Sequence, residues 1–147
     1  MLSSRAATVA SSMGTKMREF HFPPSLDTPL VRAILSGPKG AFRLRLVLDT
    51  GAHTTQLSKA AMSTLGFREE NRIRAAYAVG VGGAREEGFE VVLPRLFVLG
   101  KKFQDVPVCA FDMTYVEENG ADGLLGWDLI RLFHFDIDGP AGVLKVF

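Results

Sequence analysis

Apolar and polar residues alternate with a period of two over much of this chain, most clearly in Leu44-Arg45-Leu46-Val47-Leu48. That period sends successive side chains to opposite faces of an extended strand. Residues 30–36 and 41–48 read as two strands joined by Gly37-Pro38-Lys39-Gly40, a composition that specifies a tight reversal. A second hairpin is expected from residues 74–81 and 86–93 around Gly82-Gly83, and a third from 96–99 and 103–108 around Gly100-Lys101-Lys102. Phe135-Asp136-Ile137 and residues 143–147 bracket Gly139-Pro140-Ala141-Gly142 as a closing hairpin, and residues 114–122 read as a polar loop.

Helical spacing occurs in two short places. Ser58 can cap a helix over residues 59–65, with Gly66 supplying the left-handed residue that closes it. Residues 127–133 form the other, with Leu129, Leu132 and Phe133 on its core face. Short strands with Gly and Pro punctuation, and no βαβ alternation or internal repeat, predict one compact all-β domain over residues 19–147. Residues 1–18 contain no acidic residue and no continuous apolar centre, so a disordered tail is expected there rather than a secretory signal.

Composition narrows the function classes. The 147 residues are 47% hydrophobic, enough for one core without covalent staples. The net charge is +1 and the basic residues are scattered, which argues against nucleic-acid binding. No apolar run reaches bilayer length, so no membrane association is expected. Cys109 is the one cysteine, which excludes an intrachain disulfide and agrees with a reducing, cytoplasmic location.

The alternating run ends in Asp49-Thr50-Gly51-Ala52. A strand closing on a carboxylate, a small hydroxyl residue and a glycine can hold that carboxylate at a cleft floor with the backbone turned close beneath it. Far downstream lies Gly123-Leu124-Leu125-Gly126-Trp127-Asp128, and between the two lies Ala78-Val79-Gly80-Val81-Gly82-Gly83-Ala84. In order and spacing these three segments resemble the retropepsin-like aspartic proteases, the single-domain relatives of pepsin that include retroviral proteases. The resemblance covers residues 24–147. It implies a closed acid-protease barrel with one or two short helices, active as a twofold homodimer on polypeptide substrates, with no cofactor and no metal.

Carboxylate-driven peptide hydrolysis needs one ionised group to take a proton from water and one protonated group to polarise the carbonyl. This chain has one Asp-Thr-Gly and no second, so the partner carboxylate is expected from another copy. The resemblance makes Asp49, Thr50 and Gly51 catalytic: Asp49 supplies the dyad, Thr50 bonds across the axis, and Gly51 meets the water or substrate. Ala52, His53, Val79, Gly80, Val81, Gly82 and Gly83 are implied to bind substrate, the last five as a flap tip, and Leu124, Leu125 and Gly126 to support the site. Ala52 stands where pepsin-like enzymes carry serine, so an activity optimum less acidic than pepsin's is expected.

The chain departs from its retroviral relatives in two places. Those proteins have Asp immediately after the alanine and Arg after the second glycine motif, whereas His53 and Trp127 stand here. His53 reads as a partly exposed polar neighbour of the dyad. Cys109 with His21, His53 or His134 would make a thiol nucleophile and base, but it lies in the apolar run of residues 106–111 and reads instead as a small buried hydrophobe. Gly80-Val81-Gly82-Gly83 lacks the Lys-Ser or Lys-Thr of a phosphate loop, and Asp136-Ile137-Asp138-Gly139 lacks the remaining ligands of a calcium loop and reads as a turn. The competing functions are a non-catalytic dimeric module that binds an extended peptide in the same cleft, and a hydrolase of one partner protein.

Overall fold

The computed structural model describes residues 8–9 and 16–147, and most of the tail expected over residues 1–18 lies outside them. In chain order the described residues form β1 (Thr8–Val9), β2 (Arg18–His21), β3 (Leu30–Gly37), β4 (Gly40–Leu48), β5 (Gln56–Ser58) and α1 (Lys59–Leu65). A 3-10 turn, Glu69–Asn71, leads to β6 (Arg74–Val79), β7 (Arg85–Val98), β8 (Lys101–Phe111) and α2 (Thr114–Glu118). The chain ends with β9 (Gly123–Leu125), α3 (Trp127–Ile130), β10 (Phe135–Asp138) and β11 (Val143–Val146).

Six strands close on themselves in the order β8-β5-β9-β4-β3-β7, because β7 pairs with both β3 and β8. Closure leaves no open edge within that ring. β6 and β1 extend it on either side, and β10-β11-β2 forms a separate three-stranded sheet. The alternation predicts which side chains fill the barrel: Leu44, Leu46 and Leu48 of β4 point inward, and so do Val91 and Leu93 of β7 and Val106 and Val108 of β8. α1 adds Met62 and Leu65, both fully buried. Among the described residues no helix is long and apolar enough to cross a membrane.

The Gly37-to-Gly40 reversal, the Ser58 cap and the Gly66 closure form as their residues require. Ser58 Oγ accepts from the Ala61 N–H at 3.0 Å, and Gly66 takes φ 94°. Asp138 Oδ1 accepts from the Ala141 N–H at 3.0 Å, so this acid makes the closing turn.

Five expectations change. The strands expected over 86–93 and 96–99 are one, β7, which runs through Pro94. The ladder lapses only at the pair of Pro94, which has no N–H, and Asp105, at φ 52°, and resumes in the same register. The third hairpin turns at Leu99 and Gly100, both with positive φ, so Lys101 and Lys102 belong to β8. Residues 114–118 are the helix α2 rather than loop, and the helix expected over 127–133 ends at Ile130. Cys109 is half-buried rather than core, because its neighbours Val108 and Ala110 take the inward positions.

Candidate active site

β4 delivers Asp49 to the end of the barrel, and the segment that follows is stitched to the β9–α3 junction. The Asp49 N–H donates to the Leu125 carbonyl at 3.0 Å, extending the parallel β4–β9 ladder by one residue. The Trp127 N–H donates to the Ala52 carbonyl at 2.7 Å. Gly51 folds back so that its N–H donates to Asp49 Oδ1 at 2.9 Å. A Cβ on Gly51 would stand 3.3 Å from that same oxygen, a tight contact that would make the carboxylate shift by a few tenths of an ångström.

Beneath the turn lies a buried polar lock that the sequence reading did not single out. Thr55, with no exposed surface, donates its hydroxyl to Asp128 Oδ1 at 2.8 Å and its N–H to Asp128 Oδ2 at 3.0 Å. Its Oγ1 accepts from the Gly126 N–H at 3.1 Å, and Asp128 Oδ1 also accepts from the Leu129 N–H at 2.9 Å. Burial raises the Asp128 pKa above the ordinary carboxylate value, against the opposing pull of its hydrogen bonds with Thr55 and Leu129. The available signal was a Thr six residues after Asp49 and an Asp two residues after Gly126, polar residues beside two apolar motifs.

Gly126 is held by contact rather than by φ. A Cβ there would come within 2.5 Å of the Thr54 carbonyl oxygen, and one on Gly123 within 2.9 Å of the Leu57 Cα. Residues 54–57 therefore lie directly on β9. The segment expected to support the site does touch the Asp49 loop, through the Leu125 carbonyl and the Gly126 amide.

The flap candidates sit at the tip of the β6–β7 hairpin. The Gly83 N–H donates to the Gly80 carbonyl and the Gly80 N–H to the Ala84 carbonyl, both at 2.9 Å, with Gly83 at φ 82°. This is a tight turn closed by a glycine bulge. Val79 and Val81 are exposed, Val81 completely. Thr50, Gly51 and His53 are also exposed, while Asp49 and Ala52 are half-buried. Within one chain, hydrogen bonds join Asp49 to Leu125 and Ala52 to Trp127, while Gly51 bonds to Asp49 and Gly126 to Thr55; no bond among the described residues ties the flap tip to the Asp49 loop. A recess of about 350 Å³ beside α1, lined in part by Lys59, Arg72 and Tyr77, is a separate feature that contains none of these residues.

Comparison with known proteins agrees with this geometry. Residues 34–129 match the family model described as aspartyl protease. A retropepsin-like aspartic protease from Rickettsia conorii has a similar structure, with TM-score 0.65 and 18% identity over 90% of this chain and 99% of that one. The EIAV protease complexed with the inhibitor HBY-793 is similar at TM-score 0.52 and 22% identity, over 71% and 86%. The retroviral protease-like domain of Ddi1 from Leishmania major gives 0.55 and 16%, over 83% and 94%. No curated protein matches the sequence. These likenesses establish the all-β retropepsin-like fold, with its few short helices.

Proposed function

This chain belongs to the aspartyl protease family and is an aspartic-type endopeptidase; on that premise we propose that Asp49 from each of two copies forms the catalytic dyad across a homodimer axis. The observation that carries this reading is the seating of one carboxylate per chain. Asp49 sits on a loop tied to β9 and α3, with the Gly51 amide holding one of its oxygens. Hydrolysis needs a second carboxylate, and a twofold axis brings in an identical one. Two carboxylates about 3 Å apart share one proton and titrate as a pair.

In the dimer one carboxylate takes a proton from the attacking water. The other donates its proton to the scissile carbonyl, and the amine leaves with a proton returned from the dyad. Thr50, exposed in one copy, bonds across the axis below the dyad. The flap tip of residues 79–83 closes over an extended polypeptide and excludes water, with Ala52 and His53 beside the substrate backbone. Trp127 supports this assembly: its indole is about half exposed, and its amide holds the Asp49 loop through Ala52. An exposed aromatic at that place favours burial against a second copy.

The test is cleavage of a diverse peptide library by the purified protein beside its Asp49→Asn form, with subunit mass measured at the same concentration. Cleavage by a dimer, lost on substitution, is expected. Cleavage surviving the substitution would remove Asp49 from the chemistry, and a dimer that binds peptides without cutting them would leave a binding module.

A further inference from the structure

The strand registers place a row of side chains on the same face of the barrel wall as Asp49. Leu44, Leu46 and Leu48 of β4 enter the core, so Val47, though only 9% exposed, lies on the opposite side of the strand, and the two-residue alternation carries Asp49 to that same side. Val47 pairs with Leu124 of β9, Leu124 with Gln56 of β5, Gln56 with Cys109 of β8, Cys109 with Glu90 of β7, and Glu90 with Arg74 of β6. Directly paired residues share a face. The row therefore begins apolar beside the carboxylate and becomes polar as it moves away.

Its outer part is well defined. Gln56 and Cys109 are half-buried, and the Glu90 side chain is 15% exposed where Arg74 Nε meets it at 2.6 Å. A carboxylate offers about four acceptor sites, so one arginine contact does not exhaust it. Beyond burial, Glu90 is the strongest influence raising the Cys109 thiol, to about 11, while Arg74 opposes it more weakly. Glu90, next to Cys109 across the β7–β8 ladder, thus bears on the centre of the row more than Arg74 does. Strands lie about 4.8 Å apart, so Gln56 is about 10 Å from Val47, the reach of about three extended residues.

Resting on the proteolytic reading above, we infer that Gln56 and Glu90 determine specificity, selecting a substrate side chain whose tip donates hydrogen bonds, lysine or arginine foremost, within three residues of the scissile bond. Val47 and Leu124 seat an apolar side chain at the bond itself. Farther out, an aliphatic side chain would strip water from the Gln56 amide and the Glu90 carboxylate and return no hydrogen bond. A cationic side chain meets both acceptors, one of them a carboxylate.

The experiment compares peptides identical at the bond that carry Lys, Gln or Leu at each position within three residues of it. The proteins are wild type, Gln56→Leu, Gln56→Glu and Glu90→Gln, each checked for native thermal unfolding. At one position, wild type should cut the Lys peptide with kcat/KM about tenfold above the Leu peptide. Gln56→Leu and Glu90→Gln should each shrink that ratio, and Gln56→Glu should enlarge it.

An aliphatic preference in wild type at every position, or a Lys preference indifferent to all three substitutions, would overturn the assignment while Asp49-dependent cleavage still stood. If no peptide is cut, fluorescence anisotropy of the same labelled peptides decides. A Lys preference in binding that moves with Gln56 and Glu90 keeps the subsite and removes the hydrolytic reading; its absence overturns the subsite.

Discussion

At the scale of single residues, the Thr55–Asp128 lock is the feature on which the Asp49 loop depends. Replacing Thr55 with Val keeps the shape but leaves the Gly126 amide without its acceptor and removes a donor from Asp128. The expected cost is about 2 kcal/mol, which lowers Tm by about 6 °C. Thr55→Ser should recover most of it, and thermal unfolding of the two variants reads the difference.

Asp128 gives a prediction in pH. Burial raises its pKa in the folded protein above 3.8, so the folded state holds this proton more tightly than the unfolded one. The stability it contributes is complete below the unfolded value and is lost as pH rises through the raised folded value. Asp128→Asn carries no such titration. The stability of the Asn form relative to wild type should therefore be greater at pH 7 than at pH 4, by chemical denaturation at both; an equal difference at the two pH values would contradict the sign. The lock was not legible because Thr55 and Asp128 lie 73 positions apart, and it takes the pairing of β9 with β4 and β5 to bring them together. Asp49-Thr50-Gly51-Ala52 was legible because its chemistry is contiguous.

At the scale of elements, two glycines with different physical roles separate stability from closure. Gly126 lies against the Thr54 carbonyl, so Gly126→Ala must push the loop off β9. Overpacking of this kind costs about 1–3 kcal/mol, and activity should fall along with Tm. Gly83 meets nothing in space but holds φ 82° at the flap tip. Gly83→Ala strains that turn by about 1 kcal/mol far from the core. It should raise KM or lower kcat with little change in Tm, whereas an unchanged kcat/KM would remove the tip from substrate handling.

The hairpins were readable where glycine and proline mark the reversal, as at residues 37–40 and 139–142. They were misread where a proline lies inside a strand. Pro94 looks like a break, yet it costs only one pair because Asp105 opposite it leaves the ladder as well. β5 and β9 escaped notice because each is three residues long, too short for any period, and exists through pairing with each other and with β8 and β4.

At the scale of the whole molecule, the alternation of β4, β7 and β8 predicted strands and the family resemblance a barrel, while closure through β7 pairing with both β3 and β8 depends on partners far apart in sequence. The sequence also contains one Asp-Thr-Gly, and from that the requirement for two copies follows by chemistry rather than by contact. If the dyad is shared, activity per chain must depend on concentration, falling on dilution as dimers separate. Trp127→Arg changes an exposed aromatic beside the loop and should shift that dependence to higher concentration, measured by sedimentation alongside peptide cleavage.

Mixing decides the central claim most directly. Wild-type chains are unfolded and refolded together with a ninefold excess of Asp49→Asn chains, and cleavage is measured per wild-type chain. If each active site draws one carboxylate from each of two copies, nearly every wild-type chain is paired with an inactive one, and activity per wild-type chain falls to about one tenth. Activity per wild-type chain unchanged by the excess, with mixed dimers present in the sample, would mean that one chain carries the whole site.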